Sequence, residues 1–207
     1  TNGRALAFAT GVKIARPDLH VIVVMGDGDA LAIGGNHFIH ACRRNIDMTL
    51  IVFNNYIYGM TGGQYSPTTP EGSFASTAPY GSVEPPFDVC KLATAAGATY
   101  VARGTAYSAA QLDKYVEKGI QNTGFSVIEA LSQCPTYYGR KNKLRTAVDN
   151  LKWQKDVVVS AAKAKDMTPE QLAGKIQVGE LHHCTRPEYI QTYQTIIQRA
   201  KDAALAE

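Results

Sequence analysis

Two short aliphatic runs, residues 20–25 (HVIVVM) and 48–53 (MTLIVF), each stop at polar or small residues, with one helix-length segment between them. Apolar runs this short and without alternation suit strands buried on both faces, which occur where helices cover a parallel sheet. The intervening residues 30–43 carry Leu31, Ile33, Phe38, Ile39 and Cys42 and read as a helix. Together they predict a β-α-β unit, preceded by a helix over 3–15 that Arg16-Pro17-Asp18 stops. Downstream, the pattern predicts a helix over 87–97 with a glycine stop and a short strand over 99–103. A helix from a Ser108 cap to Asn122 and a third strong strand over 125–131 complete the series. The fold class expected over residues 1–131 is α/β, a mostly parallel sheet with flanking helices.

After Ser132 the chain turns polar and basic, so the sheet is expected to end there. Residues 132–207 read as a helical C-terminal extension. Residues 168–173 open with a T-P-E-Q cap, and 187–205 place Tyr189, Tyr193, Ile196, Ile197, Ala200 and Ala204 on one face. A hydrophobic content of 45% with 19% charged residues excludes a disordered or collagen-like chain. No apolar run approaches the roughly 18 residues of a membrane helix, so no membrane is expected. A net charge of +3 without aromatic-basic interleaving gives no reason to expect nucleic acid. Cys42, Cys90, Cys134 and Cys184 contain no C-x-x-C pair. Reduced thiols and a cytoplasmic setting are expected, with Cys42 and Cys90 in the core. The sequence opens without Met or a signal peptide and reads as a possible fragment.

Ligands of open parallel sheets sit beyond the carboxyl ends of the strands. Asp27 follows the first strand and Asn54-Asn55 the second, so these loops should converge. Gly26 and Gly28 would let a ligand approach the backbone, and the helix that follows would offer free N–H groups to an anion. A diphosphate bridged by Mg²⁺ to oxygen ligands on Asp27 and Asn55 suits that set. A dinucleotide fingerprint would need glycine where Leu31 stands, and its acidic residue, Asp47, precedes the second strand instead of ending it. A calcium loop fails at Leu31, Ala32 and Phe38. A plain turn remains the bland reading of Gly26-Asp27-Gly28 alone. Residues 54–86 have no helical or strand period and form a long loop, a place where function concentrates.

Gly26-Asp27-Gly28, followed 28 positions after Gly26 by Asn54-Asn55, is the thiamine diphosphate signature. The run GDGDALAIGGNHFIHACRRNIDMTLIVFNNYIYGMTGGQYSPTTP (residues 26–70) resembles the β subunit of 2-oxoacid:ferredoxin oxidoreductases, and is most similar to the 2-oxoglutarate branch. The pyruvate branch typically has N-T-G where Met60-Thr61-Gly62 stands. The resemblance extends from Gly3-Arg4-Ala5 to the C-terminal helices. It implies a thiamine diphosphate-binding fold and CoA-dependent oxidative decarboxylation of a 2-oxoacid, with electrons passed through a [4Fe–4S] cluster to ferredoxin. Pyruvate or another 2-oxoacid stays open as substrate, as do a non-oxidative thiamine enzyme and a nucleotide-binding module.

Carried onto matching positions, the resemblance implies Mg²⁺ ligands at Asp27, Asn55 and the carbonyl of Ile57. Gly26, Gly28, Asp29, Gly59 and Thr61 fall where the family holds the diphosphate. No residue of this chain is assigned a catalytic role, His37 and His40 included, because the cofactor carries the chemistry. The carboxylate acting on the aminopyrimidine comes from the α subunit in this family, which implies an obligate heteromer. The family's cluster takes three cysteines upstream of the first residue here and one that Cys134 matches, so the N-terminal cluster-binding segment is expected to be missing. The basic run Arg140, Lys141, Lys143, Arg145, Lys152 and Lys155 reads either as a solvated surface or as a landing site for ferredoxin or for the phosphates of coenzyme A. His182-His183-Cys184 is not expected to bind metal, since adjacent side chains point apart.

Overall fold

The computed structural model describes residues 2–132 and 134–205. Helix α1 (Ala5–Ala15) leads to β1 (Ile22–Gly26), a π-helical turn Asp29–Ile33, α2 (Gly35–Arg44) and β2 (Met48–Asn54). A two-residue-per-strand hairpin follows, β3 (Ile57–Tyr58) and β4 (Gln64–Tyr65), then α3 (Val89–Ala96), β5 (Tyr100–Thr105), α4 (Ala109–Gln121) and β6 (Phe125–Leu131). The remainder holds α5 (Ala147–Val157), β7 (Val158–Ser160), the short α6 (Ala161–Ala164) and α7 (Pro169–Leu172), β8 (Ile176–His183) and α8 (Tyr189–Leu205).

Six strands form one sheet in the order β1-β2-β6-β5-β8-β7. β1, β2, β6 and β5 run parallel, so their carboxyl ends share one rim. The register Gly26↔Phe53 puts Asp27 level with the end of β2, as the β-α-β reading requires. Between α1, α2 and α3 and one face of the sheet lie Leu6, Phe38, Leu50, Val52, Val89, Phe125 and Val127, all buried with Cys42 and Cys90. α4 covers the other face through Leu112, Tyr115 and Val116 against Tyr100, Ala102 and Ile128. Helix boundaries have local causes. Asp88 caps α3 by accepting from the N–H groups of Cys90 and Lys91, and Gly97 at φ +99° ends it.

Several expectations change. The sheet does not end at Leu131: β8 pairs antiparallel with β5, and β7 parallel with β8, so the C-terminal segment is not purely helical. Val178-Gly179-Glu180 has little apolar period, and β8, set between β5 and the edge strand β7, is only half-buried. β1 is not buried on both faces, since Ile22 and Val24 point outward beyond the reach of α4. The helix after Asp27 breaks at Gly34, where a glycine lets Asp29 O and Gly3 pack against the backbone. Ser108 does not cap α4; Thr105 accepts from the Ser108 N–H and starts a 3-10 turn instead. In α8, Ile190 is buried and Tyr193 and Ile196 are exposed, so only its first turn packs on the sheet. Glu188 anchors that turn by accepting from the N–H groups of Asp47 (3.0 Å) and Gln191 (2.8 Å). Among the described residues no helix is long and apolar enough to cross a membrane.

Candidate functional site

The parallel register brings the turns after β1 and β2 together. Asp27, 1% exposed, lies with its Oδ1 3.5 Å from the Asn55 N–H. Its Oδ2 accepts from the Ser66 hydroxyl and from Thr68 Oγ1 (2.6 Å), both supplied by the long loop folding back over the strand ends. Burial pushes the Asp27 carboxyl above its ordinary pKa, against the downward pull of Ser66, Thr68 and the Asn55 N–H. A buried carboxylate left under-compensated, with one oxygen holding a single long contact, suits a cation.

Asn55 accepts from the Ile57 N–H at 3.2 Å through Oδ1, which keeps a second lone pair. Between them Tyr56 sits at φ +64°. A left-handed backbone costs an L residue roughly 1–2 kcal/mol, so the surroundings must impose it. They do so from both sides. Asn54 Oδ1 accepts from the Tyr56 N–H (3.0 Å), and Thr69 Oγ1 donates to the Tyr56 carbonyl (2.5 Å). The Tyr56 ring packs against Tyr138 and Trp153, at centroid separations of 5.5 and 6.1 Å. This turn presents the Asn55 side chain and the Ile57 carbonyl on either side of one strained residue. The donors are all oxygen, the set that a hard divalent cation such as Mg²⁺ takes.

The other expected positions divide. A Cβ on Gly26 would meet nothing, whereas one on Gly28 would collide with the Tyr58 ring, whose hydroxyl donates to the Gly28 carbonyl (3.0 Å). Gly28 is therefore buried beneath an aromatic ring that a side chain at this position would displace. Asp29 Oδ1 accepts from the Gly3 N–H at 2.5 Å and ties the start of α1 to the site. Thr61 and Gln64 clamp each other, Thr61 Oγ1 donating to Gln64 Oε1 (2.6 Å) and Gln64 Nε2 to the Thr61 carbonyl (2.9 Å). Gly59, half-buried, lies in the same loop, where an added Cβ would come within van der Waals reach of the Asn55 amide. Cys134 packs with Tyr137, Leu144 and Trp153 on the cluster holding Tyr56 and Ile57. His37 is half-buried, and the exposed His40 accepts from Arg43 Nε (3.2 Å).

Several neighbours were not legible beforehand. Glu129, 2% exposed in β6, accepts from Arg103 Nε (2.6 Å) and Asn54 Nδ2 (2.7 Å), while Arg103 Nη2 donates to Asp88 Oδ1 (2.5 Å). Asp88, Cys90 and Glu129 approach closely enough to hold a metal, but the Arg103 guanidinium already pairs with both carboxylates. A cavity of about 690 Å³ opens beside them, lined by Asn54, Thr68, Phe87, Arg103, Glu129 and Ile176 among others. The charge inside the apolar run FSVIEAL was the available signal for Glu129. Asp47, weighed as a ribose-binding acid, is instead paired with Lys13 Nζ at 2.7 Å. His182 Nε2 and Cys184 Sγ lie 3.2 Å apart, two residues being the repeat of a strand face, yet they form no larger metal-capable group among the described residues.

Residues 1–130 match the family described as thiamine pyrophosphate enzyme, C-terminal TPP binding domain. The chain is 58% identical over 201 residues to the 2-oxoglutarate synthase subunit KorB of Methanocaldococcus jannaschii, covering 97% of this chain and 74% of the relative. It is 53% identical over 205 residues to the KorB subunit of Methanothermobacter thermautotrophicus, covering 99% and 72%. Among solved structures it is similar to the 2-oxoglutarate:ferredoxin oxidoreductase of Magnetococcus marinus, which has 2-oxoglutarate, coenzyme A and succinyl-CoA bound. That match has a TM-score of 0.84 at 34% identity and covers 100% of this chain and 74% of the other.

Proposed function

The chain belongs to the β subunits of the 2-oxoacid:ferredoxin oxidoreductases, in the 2-oxoglutarate branch, and from that membership we propose that it holds the diphosphate end of thiamine diphosphate for CoA-dependent oxidative decarboxylation of 2-oxoglutarate. The observation that carries this reading is Asp27, a buried and under-compensated carboxylate facing the Asn55 turn across the joined ends of two parallel strands. Asp27 and Asn55 bind Mg²⁺ through their side chains and Ile57 through its carbonyl. Gly26, Gly28, Asp29, Gly59 and Thr61 surround the diphosphate. When bound, thiamine diphosphate supplies the electron sink that decarboxylation needs. The chain's own work is to bind and orient, and Ser66 and Thr68 hold Asp27 in place while it does so. The α subunit supplies the carboxylate facing the aminopyrimidine, so the active unit is a heteromer in the cytoplasm. The same site serves the reverse, carboxylating direction.

Anaerobic, CoA-dependent ferredoxin reduction by the native complex tests the reading, with 2-oxoglutarate compared with pyruvate. A strong, thiamine diphosphate-dependent rate on 2-oxoglutarate is expected. Preference for pyruvate would overturn the substrate and keep the chemistry. Cys134 serves as one of the four thiolates of a [4Fe–4S] cluster. Iron and sulfide assays on the full-length protein check this, and an iron-free full-length chain would remove the electron path. The exposed cations Arg140, Lys141, Lys143, Arg145, Lys152 and Lys155 lie close to Cys134 in the chain and receive acidic ferredoxin or coenzyme A phosphates. Reversing Lys141 and Lys143 to Glu should slow ferredoxin reduction at low salt about tenfold and flatten its salt dependence. An unchanged rate at low salt would count against that surface.

A further inference from the structure

Glu129 is a carboxylate in the middle of a parallel sheet, on a strand whose seven residues are all buried. Arg103 pairs with it, and with Asp88, but occupies only Oε2, which also accepts from the Cys90 thiol at 3.4 Å. Oε1 is given to Asn54 Nδ2. That bond decides which way the Asn54 amide faces, because Nδ2 needs an acceptor on one side and Oδ1 a donor on the other. With Nδ2 on Glu129, Oδ1 meets the Tyr56 N–H and lies 3.0 Å from Thr68 Oγ1, which itself donates to Asp27. One hydrogen-bonded chain thus runs from Arg103 through Glu129 and Asn54, then divides to the left-handed Tyr56 and to the hydroxyl on Asp27.

We propose that Glu129 is a positioning residue for the cation site: by orienting the Asn54 amide it fixes the Tyr56 turn that sets Asn55 and Ile57 opposite Asp27. The inference rests on the Mg²⁺–thiamine diphosphate reading above. It separates two properties of Glu129, its charge toward Arg103 and its acceptor toward Asn54, and assigns the positioning to the second.

Two double variants in the full-length protein with its partner isolate that acceptor. Arg103→Met/Glu129→Gln and Arg103→Met/Glu129→Leu both remove the buried Arg103–Glu129 pair and leave Asp88 equally without its Arg103 partner, so the two differ only at residue 129, where only the first leaves an oxygen for Asn54. Mg²⁺-dependent thiamine diphosphate binding by calorimetry should stay within about twofold of the parent in the Gln variant and weaken about tenfold in the Leu variant. The two should melt within a few degrees of each other, and amide exchange at Tyr56 should be faster in the Leu variant. Equal binding and equal Tyr56 exchange in the two would overturn the proposal, as would a binding loss that follows a lower melting temperature. If the Leu variant does not fold, Arg103→Met/Glu129→Met, close to glutamine in length but without an oxygen acceptor, decides in its place: unaltered Tyr56 exchange relative to the Gln variant overturns the proposal and faster exchange supports it. A parent that binds no thiamine diphosphate would sink the functional reading, while Tyr56 exchange would still judge the positioning role.

Discussion

Asp27 concentrates the conflict between stability and function in one side chain. Its folded pKa is raised by burial, so the ionised form is the disfavoured one. The sign follows from linkage: the folded state binds more protons, and stability is lost as pH rises through the raised value. Asp27→Asn removes the charge and keeps the shape. Without cofactor the variant should melt about 2–4 °C higher than the parent at pH 8, corresponding to about 1 kcal/mol in a chain of this length. Mg²⁺-dependent thiamine diphosphate binding should be abolished. Thermal melts with and without cofactor check both statements together. Asp27, Asn55 and the flanking glycines were legible because they are punctuation at strand ends, where residue type carries meaning. Ser66 and Thr68 were not, because a loop without period gives no clue to which hydroxyls it returns to a carboxylate 39 and 41 residues earlier.

At the scale of elements, α3, β5 and β6 are joined by the Asp88–Arg103–Glu129 ion pairs. Burial pushes the Asp88 carboxyl up, but Arg103 and the Lys91 N–H outweigh it and leave it below its ordinary value. A lowered carboxylate pKa contributes stability above the unfolded pKa and loses it as pH falls through the folded one. Asp88→Asn should therefore cost about 1 kcal/mol at neutral pH and nothing once pH is below Asp88's folded value, so the acid limb of the melting profile becomes shallower. Asparagine remains a good cap, so α3 should keep its helicity by circular dichroism. The helices before Leu131 and the four parallel strands were predictable from period and from stops such as Gly97. β7 and β8 were not, because strands that are only half-buried lack the apolar run that announced β1, β2 and β6.

For the molecule as a whole, the boundary drawn at Leu131 from composition does not divide the sheet. β8 closes the edge of β5, and the segment between β8 and α8 satisfies Asn45, whose Nδ2 donates to the carbonyls of Arg186 (3.3 Å) and Pro187 (3.1 Å). Arg186 in turn donates to the Gly97 carbonyl at 2.5 Å. A chain truncated after Leu131 should consequently expose the β5 edge, bind ANS and aggregate, which light scattering at micromolar concentration would detect. A soluble, cooperatively melting fragment would show that residues 1–131 form a self-sufficient unit.

The sequence by itself determined the β-α-β order, the convergence of Asp27 with Asn55 and the family, because strand ends and glycines are local signals that survive without coordinates. Only the tertiary structure decided what holds that site in shape. Glu129, Arg103, Thr68 and the left-handed Tyr56 come from four separate stretches, and their roles exist only through hydrogen bonds between residues distant in the chain. A buried polar group must find its partner wherever the fold places one, and no spacing along the chain records where that is.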